Sequence, residues 1–173
     1  LKQMQETPDD PEQVAKIPTL GIDDIERSIK KTPLDVLEHE GVTILFHDLP
    51  TSGIAYVDVG FDVKAVPQRL LPYLKLYAEA LTEIGTHKED FVALTQRIGT
   101  NTGGIDASVV TSKKVDSDDS VAYLFLRSKA MFEQVPELAA ILKDILHEIQ
   151  WDNKERIKQM VLESKAGMET SLG

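Results

Sequence analysis

The sequence predicts an α+β domain with a largely antiparallel sheet and helices packed on one face, in the order βββ-αα-ββ-αα. Three observations carry this expectation. Segments of period-two alternation come in adjacent runs, so neighbouring strands need only tight turns between them. The stretches between and after those runs repeat apolar residues at three- and four-residue spacing. Finally, 173 residues with 42% hydrophobic content are enough for one sizeable core.

Leu1 to Thr19 carries Pro8, Pro11 and Pro18 among acids and amides without periodicity, which reads as a connector entering a domain. Up to Glu40 there are five Lys and Arg against ten Asp and Glu, half of the net charge of -10, so much of the acidity is peripheral. Asp23 to Ile29 suits a short helix capped by Asp23 or Asp24, and Pro33 prevents it running on. From Leu34 the period becomes two. Asp35 to Glu38 and Val42 to His47 flank Gly41 as a hairpin, and Ile54 to Asp62 makes a third strand after the Pro50-Thr51-Ser52-Gly53 turn, which together suggest a meander. Pro67 fits the first turn of a long helix in which Leu70, Leu74, Tyr77, Leu81 and Ile84 recur up to a stop at Gly85. Its polar stripe is Lys75, Glu79 and Glu83, while Tyr73, Leu76 and Ala80 widen the apolar face, as expected of a central packing helix. A second helix, Lys88 to Ile98, turns Phe91, Leu94, Thr95 and Ile98 inward and ends at Gly99. Ile105 to Thr111 and Val121 to Arg127 are β-rich and joined by a solvated loop, Ser112 to Ser120. Phe132, Val135, Leu138, Leu142, Ile145, Leu146 and Ile149 mark another amphipathic helix, and Ile157, Val161 and Ser164 a weaker last one after Trp151-Asp152-Asn153. The start at Leu1 and a final helix without a clear stop predict a piece of a longer polypeptide.

Charge and composition exclude several functions. An excess of 29 acidic over 19 basic side chains repels a phosphate backbone, so nucleic acid is not expected as a partner. With no cysteine, disulfides, iron-sulfur clusters and thiolate zinc sites are excluded, leaving His, Asp and Glu as side-chain metal ligands. No apolar run approaches the roughly 18 residues of a membrane span, and no membrane partner is expected. The Gly99-Thr100-Asn101-Thr102-Gly103-Gly104 stretch lacks the Lys of a phosphate loop and follows a helix; it reads as a tight connection, with a backbone edge offered to a ligand as the functional alternative. His39 and His47, beside Glu40 and Asp48, could in principle clamp a zinc ion across the hairpin, but nothing defines a common face for them. His87 and His147 read as surface residues, Met131, Met160 and Met168 as packing residues, and Asp23-Asp24 and Asp118-Asp119 as solvated loop charge. No nucleophile elbow, G-x-S-x-G, is present. From the residues alone this is an α+β domain without a visible active site.

A set of short motifs adds to that reading. Ile17-Pro18-Thr19-Leu20 with Ile22-Asp23-Asp24-Ile25, Gly41-Val42 with His47-Asp48-Leu49, Leu70-Leu71-Pro72, Glu83-Ile84-Gly85-Thr86, Thr102-Gly103-Gly104-Ile105 and Arg127-Ser128-Lys129 together resemble the presequence protease group of the pitrilysin/insulinase-like zinc peptidases. The resemblance covers nearly the whole chain and implies a pitrilysin-like α/β roll at the start of the C-terminal, non-catalytic half. Residues 1–20 would be the connector from the preceding half, and 21–173 the first roll domain, truncated at its end. In such enzymes an inverted H-x-x-E-H helix of the N-terminal half binds zinc, and its Glu is the general base. The corresponding helix here looks like Leu76-Tyr77-Ala78-Glu79-Ala80, which implies a degenerate motif: Leu76 and Ala80 at the ligand positions and Glu79 at that of the base, with no catalytic or metal-binding residue in this chain. The implied partners are the catalytic half of the same polypeptide and unstructured, basic peptides. The implied compartment is the cytoplasm of a bacterium, or the mitochondrial matrix or another organelle lumen of a eukaryote. A free-standing α+β binding or scaffold domain and a metallohydrolase using His39 and His47 are the competing expectations.

Overall fold

A computed structural model describes residues 8–171, in two compact units, Leu1–Pro50 and Thr51–Gly173. The first seven residues of the expected connector lie outside the described residues.

In the first unit, Asp10 caps a single helical turn, α1 (Pro11–Val14), by accepting from the Glu12 amide at 3.0 Å. The helix expected over Asp23 to Ile29 is only a 3₁₀ turn at Ile22–Asp24, closed by the Asp24 carboxylate accepting from the Gly21 amide at 2.8 Å. An acid that bonds back to the preceding backbone favours a turn over continued helix. Strands β1 (Asp35–His39) and β2 (Val42–Phe46) pair antiparallel around Glu40 and Gly41, both at positive φ, as a two-residue hairpin requires. This hairpin forms a sheet by itself.

The second unit holds the core. Strand β3 (Ile54–Asp62) does not continue a meander: it pairs with β5 (Ser120–Met131), which in turn pairs with β4 (Ile105–Lys113), giving an antiparallel sheet of order β3-β5-β4. The central, longest strand alternates strictly, burying Leu124, Leu126, Ser128 and Ala130 and turning Phe125, Arg127, Lys129 and Met131 away. Inward Val57 and Val59 of β3 stand opposite Ser128 and Leu126, and Ile105 and Ala107 of β4 meet the same two residues from the other side. Register is thus set by one buried face. Buried Ser128 is satisfied by donating to the Val57 carbonyl at 2.6 Å.

Helices cover that face. Residues Gln68–Tyr73 form a 3₁₀ segment and α2 (Leu74–Glu83) begins only after it, because Pro72 has no N–H to donate and its ring obstructs the preceding turn. Helix α3 (Phe91–Asn101) starts later than the expected Lys88, at an Asp90 cap that accepts from the Ala93 amide at 2.8 Å, and runs through Gly99 to Asn101. Helix α4 (Val135–His147) contributes Leu138, Ile141, Leu142 and Ile145, and α5 (Lys154–Ser171) only Met160. Leu81, Ile84, Leu94, Leu126, Leu138, Ile141 and Ile145 are fully buried together; each such side chain stabilises the fold by about 1.5 to 3 kcal/mol. Of the methionines expected to pack, Met160 does, whereas Met131 and Met168 are about half exposed. From β1 onward the strand and helix order is the expected one, and the class is α+β.

Candidate functional site

Leu76 and Ala80 lie one turn apart on α2. Ala80 is buried and Leu76 half-buried, and both line a cavity of about 180 Å³ walled by Tyr73, Tyr77, Trp151, Ile157 and Met160. Tyr77 and Trp151 stack with ring centroids 5.1 Å apart and planes within 8°. The lining offers no carboxylate and no imidazole. Glu79 lies outside it, 3.9 Å from Lys75 in an i,i+4 pair. The donor set does not fit a zinc ion, since neither Leu76 nor Ala80 has a lone pair.

The hairpin histidines are not brought together. His39 pairs with Val42 beside the turn, whereas His47 follows Phe46 at the opposite end, where its Nδ1 is 2.6 Å from the Pro33 carbonyl oxygen. Along a strand that separation is roughly 15 Å, too far for one ion. Among the described residues no cluster of three His, Asp or Glu is arranged to hold a metal.

A cluster absent from the sequence reading joins three elements. Arg97 of α3 contacts Glu137 at 2.8 Å and Glu89 and Asp144 at 2.9 Å each, and Lys88 reaches the other Asp144 oxygen at 2.6 Å. Asp144 is only 7% exposed, on the inward face of α4 beside Leu142 and Ile145. Hydrogen bonds from Lys88 and then Arg97 hold its carboxyl below the usual carboxylate range, and the same contact raises Lys88 above the ordinary ammonium. With every carboxylate in direct contact with a cation, the cluster is a brace between α3 and α4. Its one sequence signal is an acid interrupting the apolar stripe of α4.

Gly85 and Thr86, following α2, form a tight junction. Gly85 has φ +91°, and a Cβ there would lie 2.8 Å from the Phe91 amide nitrogen. Buried Thr86 accepts from the Lys88 and Glu89 amides at 3.2 Å and bridges to Ile149. The spacing Glu83-Ile84-Gly85-Thr86 is therefore a packing signature that docks the loop before α3 onto the end of α4.

The family model for the domain associated with peptidases of family M-sixteen, subfamily C, matches residues 1–173. The chain belongs to this peptidase-associated family. This peptidase-associated chain is 37% identical over 172 residues to presequence protease 1, chloroplastic/mitochondrial, of Arabidopsis thaliana, covering 99% of this chain and 16% of that protein. It is 31% identical to protein HypA of Clostridium perfringens, over 99% of this chain and 18% of that protein, and 29% identical to the mitochondrial presequence protease of Yarrowia lipolytica, over 99% and 17%. The chain thus spans about a sixth of the length of these relatives. The resemblance found in the short motifs is the correct one, and a free-standing scaffold domain is not favoured. No helix among the described residues is long and apolar enough to cross a membrane.

Proposed function

We propose that this chain is the first domain of the C-terminal half of a zinc endopeptidase that degrades short unstructured peptides, and that it walls the peptide chamber without performing chemistry. The observation that carries the reading is the helix α2: where a zinc-binding helix needs two lone pairs one turn apart, Leu76 and Ala80 face an apolar, aromatic-walled cavity. Residues 1–20 then act as the connector from the catalytic half, and 21–173 as the first roll domain. Glu79 has no metal-bound water to deprotonate and serves as the half-buried partner of exposed Lys75. A zinc ion would be held by the N-terminal half, outside this chain, where it would supply Lewis-acid activation of water. The net charge of -10 attracts basic peptides by long-range steering. The names of the plant and yeast relatives support a mitochondrial or chloroplast compartment for a eukaryotic source, and a bacterial source would place the chain in the cytoplasm.

The test is zinc analysis and peptide cleavage, on this chain and on its parent polypeptide. The expected result is no stoichiometric zinc and no cleavage in the chain alone, with both present in the parent and lost when an upstream H-x-x-E-H is altered. One equivalent of tightly held zinc in the isolated chain, released by His47→Ala, would overturn the reading.

A further inference from the structure

A second recess, of about 280 Å³, opens where α3 ends, between Thr100 to Gly103, the start of β3 and the end of β5. Ile54, Ala130 and Met131 contribute the apolar part of its lining. Lys129 is the sole charged residue of the lining, so in a chain with a ten-charge acidic excess this recess presents only a cation. Its stem is held in place. A Cβ on Gly103 would come within 2.8 Å of Lys129 Cγ, so the methylenes lie on a bare glycine, and the Gly103 amide donates to the Lys129 carbonyl at 2.8 Å. Across the ladder Lys129 faces Tyr56, and a lysine packed along its stem presents its ammonium at the rim. Gln134, Tyr56 and Thr100 add a carboxamide and two hydroxyls to the lining.

We propose that this recess binds the C-terminal carboxylate of an extended peptide, with the last side chain against its apolar lining and the carboxylate on Lys129. A mainly apolar lining with a few polar groups is the usual form of a small-ligand site, and a charge-assisted hydrogen bond is the strongest contact this lining can make. The inference rests on the peptide-handling reading. It also deepens it. An acidic surface selects basic peptides, while a lysine recess anchors the one anion that every linear peptide carries whatever its sequence, and the space suits one terminal residue.

Calorimetric titration of the 173-residue chain tests this with three probes: acetyl-Ala-Ala-Ala-Leu as the free acid, the same peptide as its C-terminal amide, and acetyl-Ala-Glu-Ala-Leu amide. The free acid is expected to bind, with amidation or Lys129→Met each weakening it about tenfold, the scale of a lost charge-assisted hydrogen bond. Lys129→Arg is expected to retain most of the affinity. No binding of the free acid, equal binding of acid and amide, or an indifferent Lys129→Met variant with an unchanged melting temperature overturns the proposal. Equal binding of the internal-Glu amide and the free acid overturns the assignment to the peptide terminus. Zinc content and cleavage by the parent are measured separately, so failure here leaves the non-catalytic-domain reading standing.

Discussion

Two antiparallel hairpins of this chain, β1–β2 and β4–β5, look alike in sequence and end differently. Both are rich in β-branched and other apolar residues, and both pair antiparallel along their whole length. Yet no described residue of Leu1–Pro50 is buried, with Val36, Leu37, Ile44, Leu45 and Phe46 all exposed, whereas β5 buries every second residue from Leu124 to Ala130. The difference lies in what each hairpin meets within its own unit. β4–β5 gains a third strand and a layer of helices; β1–β2 carries apolar side chains on both faces and a sheet of two strands, which is marginal by itself in water. Alternation marks a strand, and only a second layer turns it into core.

The sharpest contrast is a matched pair of truncations. Leu126→Ala is expected to cost about 3 to 5 kcal/mol, since this residue is completely buried, while Leu45→Ala should change stability by no more than about 0.5 kcal/mol. Urea unfolding of both variants checks this, and similar losses would erase the distinction between the units. Next comes the pair Leu76→His with Ala80→His, which places imidazole in the aromatic-walled cavity. It should lose about 2 to 4 kcal/mol, with zinc recovering little. A melting temperature that is unchanged, or rises sharply with zinc, would show these positions ready for metal.

Asp144→Asn removes the charge around which α3 and α4 are braced, and a loss of about 2 to 3 kcal/mol is expected. Because the folded carboxyl titrates below its unfolded value, its contribution is fully present above about pH 4 and fades as pH falls through the lower, folded pKa. Wild-type and Asp144→Asn stabilities should therefore converge on acidification below about pH 4. A constant gap would assign the effect to shape alone. Gly85→Ala follows, at about 1 to 2 kcal/mol for a residue at φ +91° facing backbone atoms, read from thermal melts. The smallest effect belongs to deletion of Leu1 to Leu20, after which circular dichroism should keep the same cooperative transition. Its disappearance would make that segment part of the folded core.

Local pattern carried much of the fold. Ile54 to Asp62 is a strand with the bounds its alternation announces, and the stripe from Leu138 to Ile145 faces the core as its spacing requires. What pattern does not contain is the choice of partner. β3 pairs with a strand about seventy residues away instead of with β2, because Val57 and Val59 match the buried face of β5. The ends of α2 and α3 depended on single groups, the missing N–H of Pro72 and the Asp90 carboxylate, which compete locally with periodicity. The Arg97–Asp144 brace was illegible, as its members lie up to 56 residues apart and each alone resembles surface charge. The apolar character of Leu76 and Ala80 was plain in the sequence, but their cavity with Trp151 depends on the turn that precedes α5.

That turn has one more consequence. Trp151 is the sole tryptophan of the chain, it is 44% exposed, and its indole lies flat on Tyr77 beside Leu76 and Ala80. The molecule therefore carries a fluorophore at the helix whose chemistry is in question. Any loosening of α2 from the α4–α5 corner, or any guest entering between them, alters the polarity around the one indole, so its emission, excited beyond the tyrosine band, reads that junction without a label.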